Sequence, residues 1–87
     1  MTTEQVLWKG MLDALLKYFA DYYQVDTYGT HLKMTHTSGK VVLVPTEIKN
    51  GCAHTVDTLV ATLSLVEQRE EEMIRDEIYG YMAFTTS

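Results

Sequence analysis

The chain has 87 residues, 46% of them hydrophobic, one cysteine and a formal net charge of −5. That composition suits one small soluble globular domain, residues 1–87, and the lone Cys52 excludes an internal disulfide framework and fits a reducing, cytoplasmic compartment. The longest unbroken aliphatic run is Val41–Val44, far short of a membrane span, and the opening Met-Thr-Thr-Glu-Gln has neither the basic nor the apolar region of a secretory signal.

Charge divides the chain. Residues 1–49 carry equal numbers of basic and acidic side chains, so the whole excess of −5 lies in residues 50–87. Lys9, Lys17, Lys33, Lys40 and Lys49 are scattered, and nucleic-acid binding needs a basic cluster to displace condensed counterions. Direct nucleic-acid binding is therefore not expected. An acidic stripe fits a basic protein surface, or simply a solvated helix face.

Thr2 with Gln5 three residues on reads as a capping box, and Glu4 complements the helix dipole. At 100° per residue, Trp8, Met11, Leu12, Leu15, Tyr18, Phe19, Tyr22 and Tyr23 share one broad face. Gly10, Asp13, Lys17, Asp21 and Gln24 lie opposite. This predicts an amphipathic helix of about six turns, fraying near Gln24, with Asp13 and Lys17 as a supporting pair. Tyr18 and Tyr22 are expected to fill the core. Val25–Gly29 reads as a connector.

Thr30–Thr37 alternates in polarity, Ser38-Gly39 supplies a tight turn, and Lys40–Val44 is β-branched and aliphatic. The pattern predicts a β-hairpin that Pro45 ends. Asn50-Gly51 is a second turn signal, and a very short third strand around Cys52–His54 is compatible with it. Thr55 or His54 then caps a last helix with Asp57 in its first turn. Its apolar stripe is Val56, Leu59, Val60, Leu63 and Val66, resuming at Met73, Ile74, Ile78 and Tyr81. The Thr, Val and Leu of 55–66 also suit a strand, and the 3,4 spacing decides for helix. Residues 83–87 read as a loose tail unless Phe84 docks on the core.

The stripe is interrupted at Glu67–Glu72, where Glu70 falls on the apolar face. A continuous helix over 55–81 would run ~40 Å, whereas a compact domain of this length is about 30 Å across. Two outcomes follow. Either the helix overhangs and buries its far apolar residues on a second copy, or it kinks and folds back as two. The overhang is the ground for expecting a homodimer or higher homo-oligomer.

His31, His36, Cys52 and His54 are zinc-competent atoms without zinc spacing, so no metal and no cofactor is expected. Cys52 and His54 share a face of an extended segment, but no third orienting group or oxyanion site accompanies them, so an enzyme is not expected. The glycines are isolated, with no phosphate-cradling pattern. The element order resembles the double-stranded-RNA-binding domain in outline. That module depends on lysines at the start of its last helix, where this chain has Thr55, Val56, Asp57 and Thr58, so it is set aside.

The expected fold is α+β, two amphipathic helices on a small antiparallel sheet in the order α-β-β-(β)-α. The expected function is a non-catalytic protein-binding module, an inhibitor or adaptor, meeting a basic partner through Glu67, Glu70, Glu71, Glu77, Tyr79 and Tyr81. Such a compact, acidic, motif-poor chain fits a phage or mobile-element accessory protein. The alternative is an oligomeric small-molecule binder with a pocket between subunits.

Overall fold

The computed structural model describes residues 2–19, 21–48 and 50–86, with side chains up to residue 83. Helix α1 (Thr3–Tyr18) is followed by strands β1 (Tyr23–Tyr28), β2 (His31–His36) and β3 (Val41–Pro45), then helices α2 (Cys52–Glu67) and α3 (Glu71–Thr86). The fold is α+β, as the pattern predicts, with one more helix and one more strand than the core expectation. The sheet is antiparallel in the order β1-β2-β3.

Thr2 caps α1 as expected. Its hydroxyl accepts from the Gln5 amide at 3.2 Å while Gln5 Oε1 accepts from the Thr2 amide at 2.8 Å. Trp8, Met11, Leu12 and Leu15 are buried. The helix ends at Tyr18, not near Gln24. Beyond it, Tyr23, Val25 and Thr27 alternate with Gln24, Asp26 and Tyr28, and the chain pairs as β1 in full register with β2. The segment read as a connector is thus a strand. A two-residue turn with Gly29 at φ +63° closes the β1–β2 hairpin, a conformation that favours glycine. Tyr23 remains in the core as expected, but Tyr22 is 64% exposed and fills nothing. Asp13 and Lys17 form no ion pair, and Lys17 Nζ lies 5.5 Å from the centroid of the Tyr18 ring.

The predicted hairpin is present, with Gly39 at φ +92° in its four-residue connection and Pro45 ending β3. One sheet face carries Tyr23, Val25, Met34, Val42 and Val44 toward the helices. The other carries Tyr28, Lys33, Val41 and Leu43 to solvent. The Trp8 indole donates to the Pro45 carbonyl at 2.8 Å, joining α1 to the end of β3.

The short strand around Cys52–His54 is replaced by the first turn of α2. Gly51 precedes the helix at φ +72° and no side chain caps it. Thr55 turns inward instead of capping, and Thr55, Thr58 and Thr62 donate their hydroxyls to the carbonyls of Gly51, His54 and Thr58 at 2.9, 3.1 and 2.9 Å. These bonds satisfy the three hydroxyls on the helix's own backbone. Asp57 stands a turn later than expected and accepts from Arg75 at 2.6 Å, tying α3 to α2.

Of the two outcomes for the last helix, the structure shows the break. Gln68 takes φ 56°, ψ 47°, its amide and that of Arg69 both reach the Ser64 carbonyl, and the Ser64 hydroxyl donates to the Arg69 carbonyl. Glu70 is exposed before α3 begins. The turn folds both helices into a molecule of 36 × 29 × 22 Å. Ile74 and Ile78 are buried in the chain's own core and Tyr81 packs against it. The overhang, and with it the reason for expecting a second copy, falls away. Residues 83–86 are the end of α3, not a loose tail, and Ser87 and the Phe84 side chain lie outside the described residues.

Candidate functional site

The six residues expected to meet a partner do not form one surface. The turn at Gln68 places Arg69 between two of them. Its guanidinium donates to Glu67 at 3.2 Å and makes a two-pronged pair with Glu77 at 3.0 and 2.5 Å. Glu67 accepts a second bond, from the Tyr23 hydroxyl at 2.6 Å. The Glu67 side chain is only 10% exposed. This cluster joins the start of β1, the end of α2 and the middle of α3, and charged hydrogen bonds of this kind are stronger than neutral ones.

The electrostatics follow from the geometry. Burial, then the bond to Glu67, hold the Tyr23 hydroxyl protonated well above the usual phenol range. The bonds to Glu77 and Glu67 push the Arg69 guanidinium further up. Tyr81 is raised as well, by burial and then by the charge of Glu77. Tyr81 stacks on Tyr18 with ring centres 4.6 Å apart and meets the Phe19 ring edge-on at 5.6 Å. Glu67, Glu77 and Tyr81 therefore brace the fold.

Glu70, Glu71 and Tyr79 are different. All three are exposed, Tyr79 at 50%. Glu72, Met73 and Asp76 join them on the outer side of α3, where Ile74 and Ile78 take the inner side. Among the described residues Glu70, Glu71, Glu72 and Asp76 have no ion pair or side-chain hydrogen bond. Glu71 and Glu72 also sit in the first turn of α3, where negative charge complements the helix dipole.

Sequence reasoning missed Arg69 and Tyr23 as the organisers of the acidic region. The available signal was an arginine placed two residues after Glu67 and eight before Glu77, at the interruption of the stripe. Beside this cluster a shallow hollow of about 340 Å³ is lined by Tyr22, His36, Glu67 and Arg69. The His36 ring meets Tyr23 at 5.1 Å, and its Nδ1 lies 2.9 Å from the Ser38 hydroxyl.

Cys52 and His54 are not brought together. They stand two residues apart on α2, so they point to different sides of the helix. Burial and the charge of Glu4 push the Cys52 thiol up, away from the thiolate a nucleophile needs. Among the described residues no three His, Cys, Asp or Glu side chains converge as a metal-holding group. No helix of the described residues is long and apolar enough to cross a membrane. Protein-family models, curated proteins and solved structures offer no match to this chain.

Proposed function

We propose that this chain is a non-catalytic protein-binding module, an inhibitor or adaptor in the cytoplasm, that meets a basic partner protein on the outer side of α3. The observation that supports the reading is the sorting of the acids. Glu67 and Glu77 are engaged by Arg69, whereas Glu70, Glu71, Glu72 and Asp76 stand open beside the half-exposed Met73 and Tyr79. Open acids set encounter rates with a basic surface, and an exposed tyrosine adds contact area at small entropic cost.

The test is paired affinity capture from the native host with the wild-type chain and the double variant Glu70→Lys, Glu71→Lys, followed by association kinetics on any protein retained. The expected result is a basic protein held by the wild type and lost by the variant, with an association rate that falls as salt rises. Equal capture by both chains would overturn the assignment of this face.

A further inference from the structure

A second feature lies on α1. Between α1 and residues 46–48 runs a half-open groove of about 550 Å³. Its floor is apolar, made by Trp8, Leu12 and Leu16 of α1, Leu32 of β2, and Ile48. Leu12 and Leu16 are one helical turn apart, so the floor runs along the helix. Leu16 is 41% exposed, an arrangement that leaves apolar area in water. The rim carries Lys9, Asp13 and Glu47. None of the three makes an ion pair or a side-chain hydrogen bond among the described residues. Lys9 and Asp13 are spaced to pair along the helix and do not.

We infer that this groove receives a segment of the basic partner that carries bulky apolar side chains flanked by Lys or Arg. The apolar side chains cover Leu16 and the partly buried Leu32 and Ile48, and the flanking cations meet Asp13 and Glu47. Charge selects this occupant. Among the described residues the rim sets two acids against one base, and the chain as a whole carries −5, so a second copy would bring its own negative charge. Shape selects it over a small molecule, since the groove is open along its length and follows the helix. Burying the apolar floor supplies the affinity, and the charges set orientation and rate. The inference rests on the basic-partner reading above and adds a place where that partner is gripped.

Trp8 lines the floor but is only 1% exposed, so occupancy is read from the peptide, through the fluorescence anisotropy of a dye at its end. The experiment titrates the full chain into a short synthetic peptide of alternating leucine and lysine. Two control peptides replace its leucines by serine or its lysines by glutamate. The protein variants are Leu16→Asn, Asp13→Asn with Glu47→Gln, and Glu70→Lys with Glu71→Lys, each checked for an unchanged melting curve. The expected result is a saturable rise in anisotropy with the Leu/Lys peptide, and roughly tenfold or weaker affinity for both control peptides. Leu16→Asn and the Asp13/Glu47 pair should each weaken Leu/Lys binding by a similar factor, while the α3 variant lowers the association rate and leaves saturable binding in place. Binding that survives Leu16→Asn and is lost in the α3 variant overturns the groove and leaves the α3 reading standing. Binding untouched by any variant overturns both. Equal affinity for the glutamate peptide overturns the charged flanks, and the absence of a saturable anisotropy rise overturns the groove.

Discussion

Glu67 and Glu70 lie three residues apart and have opposite surroundings. Glu67 is nearly enclosed, holding the Tyr23 hydroxyl and the Arg69 guanidinium. Glu70 stands in water on the other side of a single backbone turn. Glu77 belongs with the first and Glu71 with the second. The difference shows that a run of acids is not a surface. The left-handed residue at 68 decides which carboxylates face inward to brace the fold and which remain free for an encounter.

Removing the hub tests the comparison most severely. Arg69→Ala leaves Glu67 buried beside Tyr23 without its counter-charge. Arg69 is itself 30% exposed, which tempers the cost, so a loss of about 2–3 kcal/mol in urea unfolding is expected. A loss below half a kcal/mol would show that solvent replaces the arginine freely. The same change at the open acids should be far smaller, and that contrast is the point of the measurement.

Tyr23→Phe removes one bond to the enclosed carboxylate and should cost about 1–2 kcal/mol at neutral pH. Its pH dependence has a definite sign. The folded-state hydroxyl is raised above its ordinary value of 10.0, so its contribution is complete below pH 10 and is lost as pH rises beyond it. The stability gap between wild type and Tyr23→Phe should therefore shrink above pH 10. A gap that stays constant to higher pH would dissociate the raised hydroxyl from stability.

Gln68→Gly acts on the turn itself. Gln68 holds φ 56° with a side chain that disfavours it, and glycine relieves this by up to about 1 kcal/mol, partly offset by the greater freedom of the unfolded chain. A modest rise in melting temperature is expected. A fall would mean that the Gln68 side chain contributes more than its backbone costs.

The smallest effect on folding belongs to the open acids. Glu70→Lys with Glu71→Lys should change stability by less than about 0.5 kcal/mol. The part lost comes mainly from Glu71 at the positive end of the α3 dipole. A thermal scan in low and high salt measures it, and a larger loss would move these two residues into the bracing set.

Much of the architecture was legible because it rests on short-range chemistry. The Thr2–Gln5 box, the apolar face from Trp8 to Leu15, the Ser38-Gly39 turn and the stop at Pro45 each follow from neighbours in sequence. β1 was not legible, because Tyr23–Tyr28 becomes a strand by pairing with β2, and the tyrosines at 22 and 23 continue the helical period by coincidence. The break at Gln68 showed as a conflict in the stripe, but its hydrogen bonds to Ser64 did not. The candidate site was half legible. Its acids were visible, yet the arginine and the tyrosine that sort them reach those acids across 8 and 44 residues of chain. The groove on α1 escaped because Leu16 lies outside the broad core face, and Glu47 and Ile48 read only as part of a loop.

The threonine-rich stretch of α2 has a consequence for the opened chain. Residues 55–66 are held helical by the packing of Val56, Leu59, Val60 and Leu63, their only charged side chain is Asp57, and they hold neither glycine nor proline. Released from the helix, its valines, threonines and leucines have the makings of an intermolecular cross-β ribbon. Variants that loosen the Arg69 hub thus risk turbidity before simple unfolding, at a rate that climbs with protein concentration. The native helix is in this sense a sheath around the chain's most self-adhesive segment.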